Sequence, residues 1–73
     1  MSNKIIQINT EYIKLDSFLK FAGVASDGGD AKAMIRDGKV KVNGEVCGMR
    51  GKKLKNGDVV TIFGDTYEIL FVE

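Results

Sequence analysis

The spacing of apolar residues in the first third of the chain predicts one strand and one helix. Residues 4–9 are rich in β-branched isoleucine, and Ile6 and Ile8 share one face, which is typical of a short strand. Four apolar residues then follow at the spacing of a helix and share one stripe: Leu15, Phe18, Leu19 and Ala22. Gly23 comes next, and glycine ends a helix readily because it takes the left-handed conformation without strain.

A second short helix is predicted after a polar turn at residues 26–29. It runs from about Gly29 to Gly38 and turns three apolar residues inward: Ala31, Met34 and Ile35. Two short helices joined by a tight turn form a helical hairpin.

The remainder of the chain has the pattern of short strands. Residues 39–42 alternate lysine with valine, so Val40 and Val42 face the core while Lys39 and Lys41 share the other face. Asn43-Gly44 is the usual pair of a type I′ hairpin turn. Residues 47–53 have no period and predict a loop.

A final hairpin is expected near the end of the chain. Residues 56–58 predict a turn, residues 59–63 a strand, Gly64-Asp65 a turn, and residues 67–72 a strand with Tyr67, Ile69 and Phe71 on one face. The order β-α-α-β-β-β-β predicts a single α+β domain over residues 1–73, with the two-helix hairpin packed on a small, mostly antiparallel sheet.

Composition narrows the class of function. The 73 residues include no histidine, which removes imidazole bases and most zinc sites, and they include a single cysteine, Cys47, which has no disulfide partner in the chain. We therefore expect neither catalysis nor a metal or other cofactor, and we expect a reducing, cytoplasmic setting. No apolar run approaches the ~20 residues of a membrane helix.

Charge is distributed unevenly along the chain. The total is +1, but residues 1–31 carry −1, residues 32–55 carry +6 and residues 56–73 carry −4. A strongly basic segment indicates a surface that meets a polyanion, although a solvated face of a folded domain is the alternative.

The predicted elements suggest how the bases come together. Lys32 and Arg36 are one helical turn apart, the next two bases project from the following strand, and a glycine-rich loop carries the rest, so that one positive surface could form. Its members are Lys32, Arg36, Lys39, Lys41, Arg50, Lys52 and Lys53. Gly28 and Gly29 either leave open amides that attract phosphate at the helix start or form a plain turn.

The ordered motifs resemble those of the S4 domain, an RNA-binding module. They are Ile13-Lys14-Leu15-Asp16-Ser17-Phe18-Leu19, then Ser26 with Ala31-Lys32, then Gly38-Lys39-Val40-Lys41-Val42-Asn43-Gly44, then Asn56-Gly57-Asp58-Val59. The match covers residues 13–60. The arrangement is most similar to the small stand-alone S4-like proteins of the YaaA/YbcJ type, with an αL fold.

The resemblance implies binding of structured RNA, most often ribosomal RNA, and an accessory role in ribosome assembly or maturation. It also implies ribosomal particles or an RNA-processing enzyme as partners. RNA-contacting positions of the family fall on Lys14, Ser26, Lys32, Arg36 and Lys41. Many S4 domains place arginine directly after the serine, whereas this chain has Asp27. Because acids repel phosphate, the expected contact shifts toward Lys32 and the loop.

Alternatives remain at several positions. The basic face would also suit an acidic protein partner, in which case the chain would be a protein-interaction module. Tyr12 is expected to pack, with base contact as the second interpretation. Asp16 and Asp58 are expected to cap a helix and a turn, and Cys47 to be a small packed residue.

Overall fold

Two helices and seven short strands make up the part of the chain that the computed structural model describes, residues 3–72. In chain order they are β1 (Asn3–Ile8), β2 (Tyr12–Lys14), α1 (Leu15–Phe21), α2 (Gly28–Arg36), β3 (Val40–Val42), β4 (Glu45–Val46), β5 (Lys53–Lys55), β6 (Val59–Ile62) and β7 (Asp65–Phe71). The α+β class and the helical hairpin are confirmed. Within residues 3–72, neither helix is long and apolar enough to span a membrane.

Five of the strands form one sheet, in the order β1-β7-β6-β3-β4. Every neighbouring pair is antiparallel except β1 and β7, which run parallel in a register from Asn3 opposite Thr66 to Ile8 opposite Phe71. The predicted sheet, mostly antiparallel, is thus the one observed.

The core lies between the helices and one face of this sheet. Leu15, Phe18 and Leu19 of α1 are fully buried, as the helical stripe predicts. Phe18 meets Tyr67 of β7 edge-to-face, with ring centroids 5.7 Å apart. Burial of such apolar side chains is what stabilises a domain of this size, because each contributes about 1.5–3 kcal/mol.

A second, two-stranded sheet was absent from the sequence prediction. Strand β2 pairs with β5 in antiparallel register, and we call this pair the basic ribbon (residues 12–14 and 53–55). The predicted loop over 47–53 is therefore wrong at its end, because Lys53 already belongs to β5. A three-residue alternation is a weak signal for a strand, and nothing local pairs two such strands that are far apart along the chain.

The final hairpin turns one residue earlier than predicted. The two-residue turn is Phe63-Gly64, with φ of 53° and 80°, and it joins the paired residues Ile62 and Asp65. Both central residues of a type I′ turn need positive φ, and Gly64 at the second position places Phe63 at the first. A bulky residue with positive φ is uncommon, which is why the pattern favoured continuing the strand through Phe63.

The two Asn-Gly turns share one chemistry. Asn43 and Gly44 have φ of 52° and 87°, as predicted for type I′. The Asn43 side chain accepts a hydrogen bond from the Val59 amide at 3.0 Å and donates to Asp58 at 3.2 Å. Asn56 accepts from the Phe71 amide at 2.9 Å. Both asparagines therefore tie a turn to a strand distant in sequence, and these motifs are structural.

Candidate functional site

Three bases from two different elements surround one shallow concavity. Lys32 and Arg36 stand one turn apart on α2, and Arg50 comes from the loop between β4 and β5. Together with Ile35 and Gly48 they line a space of about 420 Å³. The structure thus brings one base of the loop, Arg50, beside the two bases of α2.

One of these bases has a carboxylate beside it. The Arg36 Nε lies 3.5 Å from the Asp37 carboxylate, and the two side chains are 71% and 51% exposed. An ion pair this open to solvent contributes little, about 0–1 kcal/mol, so the Arg36 guanidinium is readily shared with another anion.

The loop that carries Arg50 is anchored to the start of α1. The Leu15 amide donates to the Lys52 carbonyl at 2.9 Å, and the Asp16 amide donates to the Arg50 carbonyl at 3.1 Å. The first amides of a helix lack partners within it, so these two bonds satisfy the helix and fix the loop at the same time. The backbone of Arg50 and Lys52 is therefore held in place, while both residues remain exposed.

The basic ribbon begins where the anchored loop ends, since β5 starts at Lys53. Its inner pair is Ile13 and Leu54, of which Leu54 is fully buried. The alternate positions face outward, and all four are exposed: Tyr12, Lys14, Lys53 and Lys55. Lys14 stands directly opposite Lys53, and the Lys53 Nζ lies 4.9 Å from the centre of the Tyr12 ring.

Lys39 and Lys41 lie on a different side of the molecule. Lys41 stands between Val40 and Val42, which are buried in the core beneath the helices, so its side chain leaves from the opposite face of the sheet. The Lys39 Nζ lies 5.9 Å from the ring of Phe63. The single continuous surface predicted from the sequence is thus divided, because strand alternation directs these two lysines away from the side that carries α2.

The start of α2 is occupied by carboxylates. Asp27 accepts from the Asp30 amide at 2.8 Å, and Asp30 accepts from the amide and hydroxyl of Ser26 at 3.1 and 3.4 Å. A side chain at Gly29 would lie 3.5 Å from the Asp27 carboxylate, while Gly28 has open space around it. Such reciprocal capping stabilises the helix and places negative charge where a phosphate was predicted to bind. Phosphate contact at Ser26, Gly28 and Gly29 stays a prediction.

One base on the outer face of the ribbon, Lys55, was not predicted as a site residue from the sequence. The alternation Lys53-Leu54-Lys55 was the available signal, since its period of two is that of a strand with one buried residue.

The residues expected to be structural have local partners. The Asp16 carboxylate accepts from the Ser17 amide at 2.7 Å, and the Asp58 carboxylate accepts from the Lys55 amide at 2.7 Å. Cys47 is half-buried, with its thiol 3.7 Å from the Met49 carbonyl. Among residues 3–72, no group of three or more cysteine, histidine or carboxylate side chains is placed to hold a metal ion.

Comparisons with known proteins match most of the chain. A family model described as an S4 domain matches residues 6–70. A probable ribosome maturation protein, RlbA of Bacillus subtilis strain 168, is 49% identical over 59 residues, which are 81% of this chain and 83% of that protein. The solution structure of YbcJ from E. coli, described as having an αL motif involved in RNA binding, superposes with a TM-score of 0.69 and 27% identity. It covers 90% of this chain and 85% of that one.

Proposed function

The chain belongs to the S4 domain family, and from that membership we propose that it is a non-catalytic RNA-binding protein with an accessory role in ribosome maturation. Its ligand is structured RNA, in the first place ribosomal RNA. In this role it acts on ribosomal particles or beside an RNA-processing enzyme, and its proposed location is the cytoplasm. It needs no cofactor for this function, because binding relies on charge and shape alone.

One observation carries the proposal. Lys32, Arg36 and Arg50 approach one another around a single concavity although they come from two separate elements. Like charges repel, so such a cluster is costly without a ligand and favourable with a polyanion. The printed names of the two relatives, one a ribosome maturation protein and one with a motif involved in RNA binding, support RNA as that polyanion.

The RNA-binding surface we propose is the concavity together with the anchored loop and the basic ribbon. Its bases are Lys14, Lys32, Arg36, Arg50, Lys52, Lys53 and Lys55. They would neutralise phosphates and release counterions, the term that dominates affinity for nucleic acids. Contacts of this kind position an RNA by the path of its backbone and read its shape more than its bases.

The test compares two double variants that remove the same charge from different faces. Lys32→Ala with Arg36→Ala removes two bases of the concavity, and Lys39→Ala with Lys41→Ala removes two from the far face of the sheet. Two exposed ion pairs at about 0.5–1 kcal/mol each correspond to roughly a five- to thirty-fold loss of affinity. We expect that loss for a ribosomal RNA fragment in the first variant and less than a two-fold change in the second.

Both variants should remain folded, because exposed substitutions usually change stability by less than about 0.5 kcal/mol. Unchanged affinity in the folded Lys32→Ala/Arg36→Ala protein would show that the concavity is not the contact surface. Competition separates RNA from an acidic protein as the ligand. If poly-glutamate displaces the RNA fragment as effectively as unlabelled ribosomal RNA does, the RNA-specific function is wrong.

A further inference from the structure

The outer face of the basic ribbon combines an aromatic ring with three lysines. We propose that it binds an unpaired nucleotide of the RNA, with the base stacked on Tyr12 and the adjoining phosphates held by Lys14, Lys53 and Lys55. The inference rests on the proposed function and specifies its ligand: a structured RNA with a single-stranded nucleotide beside the folded part.

The exposed ring of Tyr12 is carried by a strand whose backbone is held in place. The side chain is 40% exposed, while Leu54 on the inner side of the ribbon is fully buried. The Thr10 hydroxyl donates to the Tyr12 carbonyl at 2.7 Å and holds the start of the strand. Because the strand is held in this way, its backbone loses little freedom when a base stacks on the ring, which favours binding.

The positive charges around the ring are compensated only in part, by the contact of the Lys53 ammonium with the Tyr12 ring. Lys14 stands opposite Lys53, and Lys55 stands opposite Tyr12. Neither strand of the ribbon contains an acidic residue, since the two segments read Tyr-Ile-Lys and Lys-Leu-Lys. Directly opposed like charges destabilise a strand pair, so an anion between Lys14 and Lys53 would stabilise the ribbon.

The combination of ring and cations selects the kind of ligand. An unpaired nucleotide offers an aromatic face flanked by phosphates. On the ribbon, the Tyr12 ring matches the base and the three lysines match the phosphates. In a continuous duplex the bases are stacked inside the helix and do not reach a protein ring. Stacking on an aromatic side chain is the usual way in which proteins bind unpaired bases without reading their identity.

A second lysine–aromatic pair provides a matched control. Phe63 is 64% exposed and has the Lys39 Nζ 5.9 Å from its ring centre, but it lies in the turn between β6 and β7, outside the ribbon. Phe63→Ala therefore removes an exposed ring of similar setting without touching the proposed nucleotide site.

The experiment measures affinity for two RNAs that differ in one feature: a ribosomal RNA hairpin with a short unpaired extension, and the same hairpin with blunt ends, both closed by a structured tetraloop that leaves no nucleotide unstacked. Stacking is worth about a five- to hundred-fold change in affinity per base. We expect Tyr12→Ala to bind the extended hairpin more weakly by that factor and to bind the blunt hairpin as tightly as the unaltered protein does. Tyr12→Phe, which keeps the ring, should bind both RNAs as the unaltered protein does, and so should Phe63→Ala.

Fluorescence gives a readout that a merely structural role of Tyr12 would not move. The chain contains no tryptophan, so Tyr12→Trp introduces a single indole into the ribbon. Its emission should be quenched by the extended hairpin and much less by the blunt one. Circular dichroism and thermal melts establish that each variant is folded.

The outcomes separate the inference from the proposed function. If the protein binds both hairpins and folded Tyr12→Ala binds them equally well, the nucleotide site is wrong and RNA binding stands. If Phe63→Ala loses as much as Tyr12→Ala, the loss is not specific to the ribbon and the inference fails. If the unaltered protein binds neither hairpin, the proposed function and the inference fall together.

Discussion

Replacing Lys14 by glutamine should stabilise the free protein and weaken RNA binding at the same time. Lys14 and Lys53 are opposed in the ribbon register, and like charges so placed destabilise a strand pair by about 0.2–1 kcal/mol. Glutamine keeps most of the length of the side chain and removes the charge. For a domain of this size the relief corresponds to a rise in Tm of about 1–8 °C.

The effect of the same substitution on RNA binding follows from counterion release. If about four bases of the proposed surface each neutralise one phosphate, log K falls against log salt with a slope of roughly −3 to −4. Loss of the Lys14 contact should flatten that slope by about 0.7–0.9. The assay is therefore a salt titration of RNA affinity, paired with thermal melts of the free protein.

Salt also tests the cause of the stabilisation. At 1 M salt the Debye length is about 3 Å, so the repulsion between Lys14 and Lys53 is screened and the difference in Tm should disappear. Lys20→Gln is the control, because Lys20 is exposed in the last turn of α1, where its charge favours the helix. Its removal should lower stability slightly and leave the slope unchanged. A lower Tm for Lys14→Gln at low salt, or an unaltered slope, would refute the reasoning.

Two further predictions concern the turn that the sequence motif encodes. Gly44 has a φ of 87°, so Gly44→Val should lower the free energy of unfolding by roughly 1–3 kcal/mol, and an unshifted thermal melt would contradict the strain argument. Asn43→Ala should cost about 1.5–3 kcal/mol in denaturant titrations, because it removes the hydrogen bonds with Val59 and Asp58 and leaves alanine at a φ of 52°. Asn43→Gly should recover the backbone part of that loss; equal losses in the two variants would argue against backbone strain.

The parts of the fold that depend on neighbouring residues could be predicted from the sequence. The apolar stripe that includes Phe18 and Leu19 predicted α1 and its buried face, and Asn43-Gly44 predicted the hairpin turn. Each of these signals is contained within a few residues. The Phe63-Gly64 turn was displaced by one residue, since tertiary pairing of Ile62 with Asp65 overrode the low preference of phenylalanine for positive φ.

The sequence identified several bases of the candidate site but not how they are arranged in space. Charge spacing identified Lys32, Arg36 and Arg50, and the structure brings these three together. The alternation of β3 already put Lys41 on the face away from the core, but which bases share a side also depends on how separate elements pack, and that α2 lies on the opposite side could not be read from the sequence. The sequence also did not reveal the pairing of β2 with β5, because contacts between distant three-residue strands leave no local pattern.

The parallel pairing of β1 with β7 has a consequence for the time at which the domain can fold during synthesis. Among the strands of residues 3–72, β1 is made first, but it cannot pair with β7, its neighbour at the edge of the five-stranded sheet, until residue 71 has been made and has left the ribosome. The helical hairpin and the β3–β4 turn rely on nearer contacts and can form while the chain is still being extended. The β-branched strand β1 therefore stays without this neighbour while the residues between the two strands are made, and completion of the sheet is a late folding step whose rate is limited by loop closure.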